Sequence, residues 1–392
     1  MPVNYQQIKE QVRKLGELTP AYKQEMETRL AFAAQRLQAA AGRNEELRAK
    51  VEAAAQKVSH LRCAIPLAES LDTAIPMQPG ELPGTILAAD GSQIIPDPHA
   101  AVLFGVVNIG IFSFHPQQGS TPQEITHTDL IYLDRLYNPS GGLINEEMIS
   151  MLRDLEERRL LVQHVAEAAC PVVTLTDGPL ELFREPASAA LPDPRFIEYL
   201  DALKELASRR VVTAGYVDRP RADLLVRLLE LDMFGESPGM DELRMRPLQG
   251  ITDAALLGPL LPPGHRSAIF GLQSFSGKFF QDEIALHFFY LNAGTGREPW
   301  LARVEIPAWL AQDEDTLALL QRTLIAECQQ LGQSAYPYSL LRAHEIALVT
   351  LQDKEYLENM VGLELLKQGI APQVKSHKQS LKDMAGTRTR LK

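Results

Sequence analysis

Two short segments of the chain place an aspartate and a glycine after a β-prone apolar run: LAADGS, from Leu87 to Ser92, and LTDGPL, from Leu175 to Leu180. An Asp at the carboxyl end of a strand, followed by Gly, is projected over the sheet edge, where ligands of α/β proteins sit. The same dipeptide also marks ordinary turns, so each pair taken singly reads equally as punctuation. On neighbouring strands, Asp90 and Asp177 would stand close enough to share a cation. Glu156 lies in MLRDLEERRLLVQH, at the border of a helical apolar stripe, where a partly buried carboxylate needs a partner. That partner is either a site or simply Arg153 or Arg159. His344, in AYPYSLLRAHEIALVT, reads as a residue early in a helix, with Leu340, Leu341, Ile346 and Leu348 supplying its buried face. It is either a core histidine or, facing carboxylates, a neutral imidazole ligand.

Carboxylates with at most one imidazole suit Mg²⁺ or Mn²⁺ better than Zn²⁺ or copper. Two such ions about 3.5–4 Å apart hold both the attacking water and the leaving oxygen when a phosphodiester is hydrolysed. Competing chemistries lack their marks. No GxxxxGK[ST] loop, GxGxxG turn or GxSxG elbow occurs, which argues against nucleotide hydrolysis, dinucleotide binding and serine-hydrolase chemistry. Cys63, Cys170 and Cys328 are scattered without metal spacing, as expected in a reducing cytoplasm.

The elements that must position these residues follow from periodicity. Residues 1–61 read as helical, with Thr19 capping a helix that starts at Pro20 and a break near Gly42. The stripe Tyr22, Met26, Leu30, Ala33, Leu37 and Ala40 recurs at threes and fours, so this region either packs on the main domain or docks another subunit. TILAA, AAVLFGVVNIGIFSF and the stretch 126–133 read as strands forming an antiparallel group. A helix through Glu156, the strand PVVTLTD, a helix near 194–209, the strand RRVVTAGYVD and a helix at 222–231 follow. IALHFFYLNAG and WLARVEIPAW read as a strand pair, and two amphipathic helices close the chain, DEDTLALLQRTLIAECQQLG and AHEIALVTLQDKEYLENMVGLELLKQG. Strands first, then helices alternating with strands, give a mixed α/β sheet. Three regions are expected: an N-terminal helical region 1–75, a main domain 76–372, and a basic tail 373–392.

The composition, 45% hydrophobic and 23% charged, supports a large buried core. No secretory signal or bilayer-spanning apolar run is visible, so a cytoplasmic protein is expected. A formal net charge of −11 opposes a nucleic-acid partner, but bound cations reverse the sign of a carboxylate site. Positive charge is available at Arg219, Arg221, Arg266 and in the tail, which holds six Lys or Arg against one Asp.

In order and spacing, ILAADGSQI, LRDLEERRLLVQHV, VVTLTDGPL, AGYVDRPRADLLVRLL, ITDAALLGPLLPPGHRSAIF, ARVEIPAW and YPYSLLRAHEIALVT resemble the NurA nuclease family, from about residue 85 to residue 350. The resemblance implies an RNase H-like mixed sheet flanked by helices, with an N-terminal helical extension. It also implies a Mn²⁺-dependent deoxyribonuclease, with Mg²⁺ as the alternative metal. Such an enzyme acts as a 5′-to-3′ exonuclease and a single-strand endonuclease in DNA end resection and repair. Its implied partners are a HerA-type hexameric ATPase translocase and a second copy in a homodimer, with no membrane. Asp90, Glu156, Asp177 and His344 then correspond to the metal ligands and catalytic residues. Glu146, Glu147 or Glu157 could replace Glu156, and Asp253 falls in a further family motif. Two rivals stand beside this reading: a non-catalytic adaptor bridging a translocase and DNA, and an RNase H-like enzyme acting on RNA or a hybrid.

Overall fold

The computed structural model describes residues 4–117, 119–138, 141–182, 193–235, 238–296, 298–332 and 335–370; the basic tail from 373 lies outside them. The strands are β1 (Cys63–Pro66), β2 (Ala74–Ile75), β3 (Thr85–Ile94), β4 (Gly105–Phe114), β5 (Gln123–Ile131) and β6 (Val172–Asp177). They continue with β7 (Val212–Asp218), β8 (Arg266–Ser267), β9 (Phe270–Gln273), β10 (Leu286–Asn292) and β11 (Leu301–Pro307). The chain forms two compact units, each discontinuous in sequence. Unit 1 comprises Met1–Leu82, Gly178–Ala190 and Thr213–Pro337; unit 2 comprises Pro83–Asp177, Leu191–Val212 and Tyr338–Lys392.

In unit 1 the strands run β1-β9-β10-β11-β7, with β8 bridging β10 and β2, and the pairings are antiparallel. The expected strand pair is β10 with β11. Helices Tyr5–Ala40 and Asn44–Lys57 flank Gly42, whose φ of 76° supplies the expected break. The helical region ends there, and β1 and β2 occupy part of the stretch up to residue 75. Thr19 is not a cap: the first helix begins at Tyr5 under Asn4 and contains Pro20. Proline lacks an N–H and crowds the carbonyl four residues back. That residue is Gly16, whose carbonyl receives no N–H from Pro20; one residue earlier, the Thr19 hydroxyl donates to the Leu15 carbonyl at 2.7 Å.

Packing distinguishes the two halves of that helix. Ala33, Leu37 and Ala40 are buried, as are Leu47 and Val51 of the second helix, whereas Tyr5, Ile8, Val12, Leu15 and Tyr22 are exposed. Asp232, at the end of helix Leu224–Asp232, ties the buried half down. Its carboxylate meets Arg36 at 2.6 Å, Arg43 at 2.9 Å and Lys50 at 2.9 Å.

In unit 2 the strands run β5-β4-β3-β6. The first three are antiparallel and β6 is parallel to β3, a mixed sheet that opens with the expected antiparallel group. Helix Glu146–Val165 covers one face, where Leu87, Ala89, Val107, Ile109 and Ile111 meet Ile149, Leu160 and Leu161. Helix Tyr338–Ala347 covers the other. The segment read as one closing helix is in fact two, because Thr350 starts a new helix, Leu351–Lys367, through reciprocal bonds with Asp353.

Candidate active site

Asp90 does not end its strand. β3 continues through Gly91 to Ile94, because β4 pairs along its whole length, with Asp90 opposite Gly110 and Ser92 opposite Asn108. Asp177 does end β6 and is exposed, and Gly178 follows with φ 86°. The parallel register matches Ala88 with Leu175 and Ala89 with Thr176. Asp90 and Asp177 are the next residues of the two strands beyond that ladder, and adjacent strands lie about 4.8 Å apart.

His344 reaches this face from the helix above it. It sits in the last turn of Tyr338–Ala347 rather than early in a helix, and Leu348 is exposed rather than part of the buried face. Its imidazole Nδ1 lies 2.7 Å from Asp90 Oδ2, while Asp90 Oδ1 accepts the Gly91 N–H at 2.8 Å. A β-carbon on Gly110 would lie 2.5 Å from the Ala343 carbonyl oxygen and 2.6 Å from the Ala347 nitrogen, so only glycine lets this helix settle on the strand. The Ala347 carbonyl accepts from Asn108 Nδ2 at 2.8 Å and from the Ser92 hydroxyl, which in turn accepts the Val349 N–H at 3.1 Å.

Sequence reasoning missed Ser92, Asn108 and Gly110 as seats for His344. The available signal was Asn108 and Gly110 interrupting VVNIGIF two residues apart. In a strand that spacing puts both on one face.

The helix carboxylates approach from the opposite face. Glu156 is paired with Arg159, the plain ion-pair alternative. Glu157 is buried, and burial, with Asp154 and Asp90 nearby, pushes its carboxyl well above the usual range against the pull of Arg158 and Arg153. Arg153 lays its stem over Gly91, where a β-carbon would meet its Cγ at 2.4 Å, and bonds Asp154 through Nη2 at 2.8 Å. Gly91 thus answers a close approach rather than a turn. Although burial opposes its charge, Arg153 is held protonated by Asp154, Glu157 and Asp90.

Among the described residues, no three His, Cys, Asp or Glu side chains converge as a ready metal cage. The donor set nevertheless fits a hard divalent cation in kind: two carboxylates at the corresponding end of a parallel ladder, and an imidazole already touching one of them. Glu146 and Glu147 lie in the first turn of their helix and are exposed.

Asp253 is occupied elsewhere. Buried in unit 1, it accepts the N–H groups of Leu225 and Val226 at 3.0 and 2.9 Å and the Tyr290 hydroxyl at 2.5 Å, capping helix Leu224–Asp232. Burial raises its pKa to about 6, opposed by those three bonds. Arg266 is likewise no surface cation, being buried and bonded to Glu69 at 2.8 and 2.9 Å. Arg219 and Arg221 are exposed.

The NurA domain family model matches residues 84–349. Among solved structures, the chain is similar to the NurA nuclease from Sulfolobus solfataricus, at 14% identity and TM-score 0.48 over 76% of this chain and 87% of that one. It is also similar to the catalytic domain of human Endonuclease V, at 14% identity and TM-score 0.32 over 80% and 96%. A third similarity is to Drosophila Piwi, at 12% identity and TM-score 0.29 over 68% and 29%. No curated protein sequence matches the chain. No described helix is long and apolar enough to cross a membrane.

Proposed function

The chain belongs to the NurA domain family, and on that footing we propose that it is a metal-dependent nuclease hydrolysing DNA phosphodiesters. The observation that carries this reading is the parallel ladder of β3 and β6, beyond whose last pair Asp90 and Asp177 are the next residues, with His344 in contact with Asp90. Asp90, Asp177 and His344 would hold the cation, Mn²⁺ or Mg²⁺. The helix carboxylate would be Glu156, here ion-paired with Arg159, or its buried neighbour Glu157. Bound there, a divalent ion polarises the scissile phosphate and makes its water more acidic.

The protein's own groups do the positioning. His344 holds one oxygen of Asp90 and the Gly91 N–H the other, so that carboxylate is oriented before any substrate arrives. Arg153 offsets the negative charge of Asp90 and Asp154, which would otherwise repel a phosphate backbone. The finer expectations belong to the same proposal: 5′-to-3′ exonuclease and single-strand endonuclease activity in DNA end resection, a HerA-type translocase and a second copy as partners, and action in the cytoplasm.

The test is cleavage of a labelled single strand with Mn²⁺, repeated with a chelator. Asp90→Asn and Asp177→Asn should each abolish cleavage while leaving thermal unfolding nearly unchanged. Full activity in either variant refutes the site. The adaptor reading draws on the exposed apolar stripe Tyr5, Ile8, Val12, Leu15 and Tyr22. It requires that calorimetry find no specific Mn²⁺ uptake by the wild type. Digesting DNA, RNA and hybrid strands side by side separates the substrate classes.

A further inference from the structure

In unit 1, β7 and β11 are antiparallel neighbours with Asp218 opposite Ala302, so the loop leaving β7 meets the residues leading into β11. There the Arg219 guanidinium carbon lies 3.7 Å from the centre of the Trp300 ring. The indole N–H donates to Asp218 Oδ1 at 2.7 Å, which fixes the ring under its cation. A guanidinium so placed is attracted by the ring's π face.

Three further features distinguish this stack. The first is backbone conformation: Arg219 has φ 42°, in the left-handed region that side chains other than glycine rarely adopt. Such strain persists where the surrounding structure enforces it, and it clusters at ligand clamps. Secondly, Arg219 is exposed, and among the described residues its N–H donors meet no hydrogen-bond acceptor and no carboxylate. Thirdly, Arg221, two residues on, is equally exposed and equally without an acidic partner. Acids are not scarce, since the chain carries a net charge of −11, and exposed Arg159 and Arg209 are each paired.

We propose that the Arg219–Trp300 stack is a platform for an unpaired nucleobase of single-stranded DNA. The base lies on the outer face of the guanidinium, and Arg221 takes a neighbouring phosphate. This rests on the nuclease reading for the identity of the ligand. A planar, delocalised cation backed by indole offers a flat surface to any base, since every base has a π face. A duplex hides those faces in its stack, so the platform favours single strands, without sequence preference.

The test uses the full chain in a chelator, so that nothing is cut, and reads fluorescence anisotropy. The probes are a labelled oligo(dT) of about sixteen nucleotides, an abasic strand of equal length and a duplex. Arg219→Lys keeps the charge but removes the flat cation; Trp300→Leu removes its support. Both should weaken oligo(dT) binding about tenfold while leaving abasic-strand and duplex binding unchanged. The proposal is overturned if Arg219→Lys binds oligo(dT) as the wild type does, if it loses the abasic strand equally, or if the wild type does not prefer oligo(dT) to the abasic strand. Because no metal is present, failure of the nuclease reading shows elsewhere, as a wild type that leaves DNA intact with Mn²⁺.

Discussion

Gly110→Ala should dislodge the histidine without touching it. The added carbon would stand 2.5 Å from the Ala343 oxygen and 2.6 Å from the Ala347 nitrogen, whereas ordinary contact begins at 3.4 Å. Both obstacles are backbone, so no side-chain rotation relieves them, and the helix must retreat by roughly 0.9 Å or the strand must bend. A retreat of that size lengthens the 2.7 Å contact between His344 and Asp90 to about 3.6 Å, beyond hydrogen-bond range. It also stretches the bonds from Asn108 and Ser92 to the Ala347 carbonyl. Overpacking together with weakened buried bonds should cost about 2–3 kcal/mol, read as a lower urea midpoint and a Tm reduced by a few degrees. Cleavage should fall with it. Gly178→Ala is the comparison, since nothing lies within 4 Å of its added carbon and only the φ of 86° resists, at about 1 kcal/mol. If Gly110→Ala were as stable as wild type, the close approach would be refuted. If it were less stable yet cut DNA at the full rate, the helix would have no part in positioning the site.

Two other buried acids report on unit 1 with opposite pH signs. Asp253, raised to about 6 by burial, binds its proton more tightly folded than unfolded. Its stabilisation is therefore complete below about pH 4 and is lost as pH rises through 6. Relative to Asp253→Asn, the wild type should lose about 1 kcal/mol between pH 5 and pH 7.5; a difference that stays flat across that window contradicts the assignment. For Asp232, burial raises the pKa, but bonds from Arg43 and Lys50 outweigh it and hold the carboxyl below its usual value. Its contribution is present at neutral pH and fades as pH falls through the folded value. Asp232→Ala strands three cations that can still reach water, which moderates the cost to about 2 kcal/mol. Hydrogen exchange should quicken in helix Asn44–Lys57, and unchanged exchange there would count against the clamp.

Much of this architecture was legible because period-two apolar runs and long amphipathic helices announce themselves locally. The antiparallel group, the β10–β11 pair and the break at Gly42 were all readable in that way. What was not readable depended on partners distant in sequence. Asp90-Gly91 reads as a strand end, but the tertiary cause of that glycine is the stem of Arg153. Pro20 reads as a helix start because proline favours the first turn, whereas the helix runs on through it. Glu156 and Glu157 are adjacent in sequence, and only the packing of their helix separates the one paired with Arg159 from the one buried. Arg266 reads as a surface cation until Glu69, far along the chain, is seen bonded to it.

The bond between His344 and Asp90 joins residues 254 positions apart, and unit 2 draws its last segment from the end of the chain. On a ribosome, both aspartates emerge long before the imidazole that meets one of them. A polypeptide cut short before Tyr338 lacks that helix altogether, and nothing is seated on Gly110. On the proposed reading, a fragment without that helix lacks both the imidazole beside Asp90 and the backbone that Ser92 and Asn108 hold.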